Sequence, residues 1–384
     1  MRRLVRRATV AGILLAAPGC GGGGGGTSPS PLPTPVETPS SFAYLQDVAA
    51  GTAVLSHYSA EVDAYRAEWS LASGGAALGR TQEGAAVKNH ALRIGPLAPD
   101  TSYSYRLRSS AGTLVAEGRF NTPPPAGARA VTFAVIGDSG WPGGPEAQVA
   151  EAIRASQPAP ELLLHAGDVV YPHGERENYR PYLFDPFARV LDHTAFFPSL
   201  GNHDLETENG QPWLEMFTTP ANGLDRSERY YSFDWGDVHF LALDVVSTDF
   251  SPGSRQWAFA DADLAAAAAA WKVVFLHRPP YSAGPSGGAL DVRRELFPLF
   301  ESRRVDAILA GHDHAYQRFV KRRGMEFVVT GGGGAPLDVV RDVPELKAFR
   351  SCFHFVRGRA DATSLTLEAV EVPGVVFDTL VLRR

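Results

Sequence analysis

Five short segments of the 384-residue chain each carry a small group of metal-binding side chains. They are Gly137-Asp138-Ser139-Gly140, Gly167-Asp168-Val169-Val170-Tyr171, Gly201-Asn202-His203-Asp204, Val274-Phe275-Leu276-His277 and Gly311-His312-Asp313-His314. Taken together they offer the imidazoles of His277, His312 and His314, the carboxylates of Asp138 and Asp168, the Asn202 amide and the Tyr171 phenol. That set is too large for one catalytic ion with an open position and suits two ions sharing a bridging ligand. Mixed nitrogen and oxygen donors without thiolate point to hydrolytic zinc, manganese or iron, not to a structural zinc cluster. Two such ions can share a hydroxide and clamp the oxygens of a phosphoryl group, so the chemistry implied is metal-assisted hydrolysis of a phosphate ester.

Each segment follows an apolar run that reads as a buried strand. Asp138 follows Ala134–Ile136, Asp168 follows Leu162–Leu164, Asn202 follows Phe197–Leu200, His277 ends Val273–Leu276, and His312 follows Ala307–Ala310. In open α/β sheets ligands gather beyond the carboxyl ends of the strands, so the polar residues are expected to meet there. The glycines before Asp138, Asp168, Asn202 and His312 are expected to supply the sharp turns that aim those side chains.

The intervening pattern alternates strand, loop and helix. Helices are expected over Pro145–Ser156, Tyr179–Leu191, Ala258–Trp271 and Leu290–Arg303, the third containing a run of six alanines. The C-terminal third returns to strand patterns at Glu326–Thr330, Phe353–Val356, Ser364–Val370 and Val375–Leu382. The fold class is α/β, with much of the sheet buried on both faces.

Before Pro123-Pro124-Pro125, read as a rigid hinge, no helical period occurs. Short alternating runs at Thr52–His57, Tyr65–Leu71, Ala86–Ile94, Thr101–Arg108 and Leu114–Phe120 argue for a small antiparallel sandwich over residues 41–122, with the α/β body at 128–384.

The N-terminus is of a different kind. Arg2, Arg3, Arg6 and Arg7 precede an apolar run from Ala8 to Ala17 and then Pro18-Gly19-Cys20, which reads as an export signal over residues 1–19. Cys20 stands where a bacterial lipoprotein is cleaved and acylated, and residues 20–40, rich in Gly, Ser, Thr and Pro, read as a tether. The expected location is therefore exported: periplasmic or cell-surface as a lipoprotein, or plainly secreted, with the twin-arginine route also open. Membrane contact is expected only through Cys20. Loss of residues 1–19 takes the formal charge from −6 to about −10, since four arginines and no acids leave, which disfavours a nucleic-acid partner. Cys352 is then the one other cysteine and reads as a small core residue.

The five blocks have the forms GDxG, GDxxY, GNH(D/E), VxxH and GHxH. As a whole they resemble the calcineurin-like metallophosphoesterases, and their spelling resembles the purple acid phosphatases. Tyr316, Arg318 and Thr330–Pro336 extend the likeness, which covers about residues 41–384. Tyr103 and Tyr105 on one strand face, and Tyr44-Leu45-Gln46, resemble the fibronectin type III-like sandwich that precedes the catalytic domain in that family. The resemblance implies a four-layer metallophosphoesterase sandwich of sheets flanked by helices. It implies one metal on Asp138, Tyr171 and His314, a second on Asn202, His277 and His312, and Asp168 bridging both. The implied ions are Fe(III) plus Zn, Fe or Mn(II), with Tyr171 as the ferric ligand whose charge-transfer band colours the family. The implied reaction is hydrolysis of small-molecule phosphate monoesters, in which His203 binds phosphate and protonates the leaving oxygen. Asp204 is expected to orient the His203 ring.

One departure stands out. Plant members carry a histidine pair shortly after the position of His277, where this chain reads Arg278-Pro-Pro-Tyr281-Ser-Ala-Gly-Pro-Ser-Gly-Gly288. Arg278, Tyr281 or His173 could take over substrate binding. His165 and His239, inside apolar strands, read as core histidines. The run Gly331–Gly334 reads as a place of close backbone approach, since it lacks the lysine and helix onset of a P-loop. Two alternatives stay open: a phosphodiesterase or nucleotidase using Zn or Mn, and a surface adhesion protein with a degenerate metal domain.

Overall fold

A computed structural model describes residues 42–384. The expected export signal, the Cys20 lipid site and the tether lie outside the described residues. Two sheets carry the architecture. The first has nine strands in the order Val375–Arg383, Ser364–Glu371, His354–Ala360, Val131–Ile136, Leu162–His165, Ala195–Pro198, Tyr44–Gln46, Ala53–Asp63 and Val87–Ile94. The second has seven: Tyr231–Trp235, Val238–Leu243, Trp271–Leu276, Ala307–Ala310, Glu326–Thr330, Tyr316–Phe319 and Leu346–Arg350. The three strands 131–136, 162–165 and 195–198 are mutually parallel, as are 238–243, 271–276, 307–310 and 326–330.

Alternation along each central strand explains the layering. In Val131–Ile136, Phe133 and Val135 point between the sheets, where Phe133 meets Phe240 edge-on at 5.3 Å, while Ala134 and Ile136 face the helices Glu146–Arg154 and Asp185–Leu191. In Trp271–Leu276, Val273 and Phe275 point inward, and Val274 and Leu276 face the helices Arg255–Ala266 and Leu290–Ser302. The result is helix, sheet, sheet, helix. A strand covered on both faces must be apolar at every position, which is why these runs show no polar alternation. Each fully buried Phe, such as Phe133 or Phe275, contributes roughly 1.5–3 kcal/mol.

Three features add to or differ from the expectations. The strands expected over 41–122 lie in two sheets of three and four, and Tyr44–Gln46 also pairs in parallel with Ala195–Pro198, so the three-stranded part continues the nine-stranded sheet. Arg66–Leu71, Gly79–Gln82, Ser102–Arg108 and Leu114–Asn121 form a separate four-stranded sheet, yet Trp69, Tyr105 and Leu107 join the same apolar cluster as Phe133 and Phe240. The change of composition at Pro123 therefore marks no break in the core. Tyr105 Oη donates to the Asp192 carbonyl at 2.8 Å, and Arg129 bridges Asp100 and Glu161 at 2.7 and 2.8 Å, tying the two regions together.

The second concerns the alanine run. The helix starts earlier than expected, at Arg255, where the Ser254 hydroxyl caps the Trp257 N–H at 3.2 Å, and it stops at Ala266. Ala267–Ala270 are not helical despite the strongest helix propensity available. The chain must turn there to deliver Trp271–Leu276 into the sheet, and burial of that strand outweighs propensity. Third, the strands Tyr316–Phe319 and Leu346–Arg350, not expected from the sequence, complete the seven-stranded sheet. Cys352 is buried, and burial pushes its thiol up to about 12. No helix of the described residues is long and apolar enough to cross a membrane.

Candidate metal centre

All five segments lie at the carboxyl ends of parallel strands. Asp138, Asp168 and Asn202 come from the nine-stranded sheet, His277, His312 and His314 from the seven-stranded one. Because the sheets face each other, the two sets converge from opposite sides.

The backbone at the turn differs from the expectation. Three of the polar residues themselves adopt left-handed conformations: Asp138 at φ 60°, Asp168 at 51° and His312 at 73°. Of the four preceding glycines only Gly167 has a positive φ, 84°. Gly201 and Gly311 are required for proximity instead. A Cβ on Gly201 would collide with Asp168, and one on Gly311 would come within 2.5 Å of Asp138 Oδ2. Non-glycine residues in this region cost about 1–3 kcal/mol each and persist where surroundings fix them. Here the His203 N–H donates to Asp168 Oδ1 at 2.8 Å, and the His312 N–H to Asp138 Oδ2 at 2.8 Å.

The seven side chains meet, in two groups. Tyr171 Oη lies 3.2 Å from Asp138 Oδ1, 3.1 Å from Asp168 Oδ2 and 3.0 Å from His314 Nε2. His277 Nε2 lies 3.0 Å from Asn202 Oδ1, 3.2 Å from Asp168 Oδ2 and 3.1 Å from His312 Nδ1. Asp168 Oδ2 belongs to both groups.

Proton counting shows what these clusters want. His314 Nδ1 donates to the Pro336 carbonyl at 2.8 Å, so in the neutral ring Nε2 is a lone pair. Three acceptors then surround the single Tyr171 hydroxyl proton. His277 Nδ1 likewise donates to the Ala166 carbonyl at 2.9 Å, which in the neutral ring leaves Nε2 as a lone pair facing an amide oxygen, a carboxylate and a second imidazole. The carbonyls that fix these tautomers are the outer partners that orient histidine ligands. Converging lone pairs without protons between them fit a cation in each group, and the hard oxygen and imidazole donors fit zinc, manganese or iron.

The electrostatics agree. Burial opposes the Asp168 charge, but His277 and His203 hold its carboxyl well below the usual range. Burial likewise opposes a charged His277, yet Asp168 and Asp138 push it up to about 9. Burial and the two carboxylates raise the Tyr171 phenol well above its ordinary value. Each result says that this buried, acidic site calls for positive charge, which a proton on His277 supplies and a bound cation would supply better.

Other candidates fare differently. His203 is at the site: its ring packs 4.6 Å from Tyr171, Nδ1 donates to the Pro172 carbonyl at 2.6 Å, and Nε2 stands 4.0 Å from Asp168 Oδ2. Asp204 does not orient it. The Asp204 carboxylate is fully buried and accepts from the N–H groups of Val169, Val170 and Gly201 at 3.0, 3.4 and 2.9 Å, locking the loop that bears Asp168 to the loop that bears Asn202. Tyr281 is also displaced from its expected role. It packs among Phe297, Phe319 and Phe327, with the Arg293 and Arg322 guanidinium groups over its ring, as part of the helical layer. Arg278 is engaged by Asp291 at 2.9 and 3.0 Å and by the Val245 carbonyl at 3.2 Å. His173 reaches the site indirectly, sharing Glu206 with His203.

Three supporting residues were missed by sequence reasoning. Asp313 accepts from the Ser286 N–H at 3.0 Å and from the Ser286 hydroxyl at 2.5 Å, fixing the loop after His277. Asp338 accepts from the His314 N–H at 2.9 Å, and Glu206 contacts His203 Nδ1 at 3.2 Å. Asp313 was visible inside its motif but its role was not, and Asp338 lies 24 residues from its partner with no local signal. The Gly331–Gly334 run does approach the site closely: a Cβ on Gly331 would meet Asp138 Oδ2 at 2.7 Å. His165 donates to or accepts from Ser139 at 2.8 Å, and burial pushes it down to about 3. His239, expected as an ordinary core histidine, sits between Asp234 and Asp263 at 2.8 and 2.7 Å.

Residues 131–316 match the family model described as calcineurin-like phosphoesterase. Among curated proteins, purple acid phosphatase 22 of Arabidopsis thaliana is 31% identical over 60% of this chain and 54% of its own length. Purple acid phosphatase 21 of the same plant is 32% identical over 60% and 53%. The chain thus spans about half the length of the curated relatives it matches. Among solved structures, the purple acid phosphatase PPD1 from yellow lupin (Lupinus luteus) seeds superposes with a TM-score of 0.79 at 20% identity, over 89% of this chain and 74% of that one. This last likeness is one of fold.

Proposed function

We propose that this chain, which carries a calcineurin-like metallophosphoesterase domain, is an exported phosphomonoesterase of purple acid phosphatase type with a dinuclear metal centre. The observation that carries the reading is the pair of proton-poor donor clusters joined through Asp168 Oδ2. Asp138, Tyr171 and His314 would hold one ion, Asn202, His277 and His312 the other, and Asp168 both. Bound there, the ions supply Lewis acidity toward phosphoryl oxygens and a water acidic enough to ionise near neutral pH. A phenolate at Tyr171 favours Fe(III) in the first position, with Zn, Fe or Mn(II) in the second.

The protein's own part is positional. The left-handed turns at Asp138, Asp168 and His312 fix the donors before substrate arrives, so little reorganisation is left for the reaction. His203, with Nδ1–H committed to Pro172, presents Nε2 to the site, where it can hold a proton for the leaving oxygen. Seven strands over residues 44–121, divided three and four between two sheets, support a fibronectin type III-like reading of the N-terminal region. Export and a lipid anchor at Cys20 rest on residues 1–20 of the sequence.

A second reading, a phosphodiesterase or nucleotidase with Zn or Mn, is motivated by one observation: the loop 278–288 lacks the histidine pair of plant members. Metal analysis, the visible spectrum and turnover of aryl mono- and diesters test both. Colour, iron and preference for the monoester support the first reading. A colourless active protein that prefers the diester replaces it with the second, and metal-free inert protein sinks both.

A further inference from the structure

Asp204 is engaged by three backbone N–H groups, and the carboxylate that stands beside His203 Nδ1 is a different one, two residues further on. Glu206 Oε1 lies 3.2 Å from His203 Nδ1, and Glu206 Oε2 lies 2.5 Å from His173 Nδ1. One carboxylate thus spans two imidazoles from different loops.

The two loops are fixed against each other. His203–Leu205 is a short helical turn, and a Cβ on Gly174, at φ 67°, would come within 2.9 Å of the His203 carbonyl and of Asp204. The His173 N–H donates to Glu175 at 3.0 Å, and the Thr207 hydroxyl donates to the His173 carbonyl at 2.7 Å. His173 is therefore anchored through its backbone although its side chain is more than half exposed. It holds the far oxygen of Glu206 and leaves the near one directed at His203.

We propose that Glu206 is the positioning residue for His203, and that His173 in turn positions Glu206. The Pro172 carbonyl accepts the Nδ1–H at 2.6 Å and the Glu206 carboxylate stands beside the same nitrogen at 3.2 Å, so together they keep the proton there and turn Nε2 toward the reacting phosphate. Pro172 alone gives one acceptor in one direction, which leaves the ring free to tilt about that bond. The negative charge of the Glu206 oxygen on the Nδ1 side of the ring opposes this tilt. The assignment rests on the phosphomonoesterase reading, since it concerns proton delivery to a leaving oxygen.

The chosen test separates positioning from general damage through the leaving group. Phenyl phosphate has a poor leaving group that needs a proton, and 4-nitrophenyl phosphate has a good one that needs it far less. Loosening the general acid in Glu206→Ala should lower kcat for phenyl phosphate by about tenfold and for 4-nitrophenyl phosphate by about threefold or less, with KM little changed. Glu206→Gln keeps an acceptor oxygen for His203 and should restore most of the phenyl phosphate rate. His173→Ala should fall between them. Equal losses on both esters, or no loss in Glu206→Ala with an active wild type, overturn the assignment alone. A wild type inert toward both esters overturns the phosphoesterase reading and the assignment with it. The Glu206 side chain is 43% exposed and lies outside the apolar core, so neither substitution disturbs the core.

Discussion

His277 Nε2 and His312 Nδ1 face each other at 3.1 Å, nitrogen to nitrogen, with the other His277 nitrogen already donating to Ala166. Two imidazoles so placed either share a proton or share a cation. We expect the purified protein to hold two metal ions per chain. Stripping them with a chelator should lower the thermal midpoint by several degrees, and re-adding metal should restore it, because ligands that bind only the folded state stabilise it by mass action. Elemental analysis and thermal scans with and without chelator check this. An unchanged midpoint in metal-free protein would contradict it.

Tyr171 is buried beside two carboxylates that oppose its ionisation, so only a cation at that position makes a phenolate there. With the ferric ion proposed above at that position, Tyr171→Phe should abolish visible absorption while the fold stays intact, since the ring remains packed against Trp141 and His203. Absorption spectra of the two proteins at equal iron content decide it, and persistent colour in the variant would assign the band to another residue.

Asp204 is expected to matter for stability before chemistry. Its removal in Asp204→Ala strands buried N–H groups of Val169 and Gly201, at a cost of about 3 kcal/mol, and frees the loop that carries Asp168. Denaturant unfolding should show the loss in metal-free protein too. A variant as stable as the wild type would mean that water or a shifted backbone replaces the carboxylate.

His239 sets a pH dependence away from the site. Burial pulls its pKa down, but hydrogen bonds to Asp234 and Asp263 prevail and push it up to about 9. A raised folded value means that the stabilisation is complete below the unfolded pKa of about 6.5 and is lost as pH rises through about 9. Because the Asp234 side is open to solvent, the contribution is at most about 2 kcal/mol. His239→Gln should therefore lower the thermal midpoint at pH 6 and have little effect at pH 9.5. An equal effect at both would show that the ring acts by packing alone.

Much of the centre was legible because its donors are local events. A strand buried on both faces is an unbroken apolar run, and a run ending in Gly-Asp or Gly-His announces both the strand and the residue at its end. Asp138, Asp168, His312 and the α/β class follow from that, while the place of His203 came from the family resemblance. Roles that depend on where an oxygen points were not legible. Asp204 and Glu206 are both acids shortly after His203, and nothing in their order says that the first turns to the backbone of residues 169, 170 and 201 while the second turns to the ring. Tyr281 reads as a binding residue beside His277 until its phenylalanine neighbours, 16 to 46 residues away in the chain, are brought against it.

By itself, then, the sequence determined which residues can donate to a metal and which strands carry them, because burial and side-chain chemistry are written residue by residue. Only the tertiary structure decided that the first strands join the nine-stranded sheet, that the alanine run breaks at Ala267, and that one oxygen of Asp168 comes within 3.2 Å of both Tyr171 and His277, the place the resemblance implied for it. Those outcomes turn on competition between distant groups: an open sheet edge against a separate sandwich, strand burial against helix propensity, and two loops meeting across the gap between facing sheets.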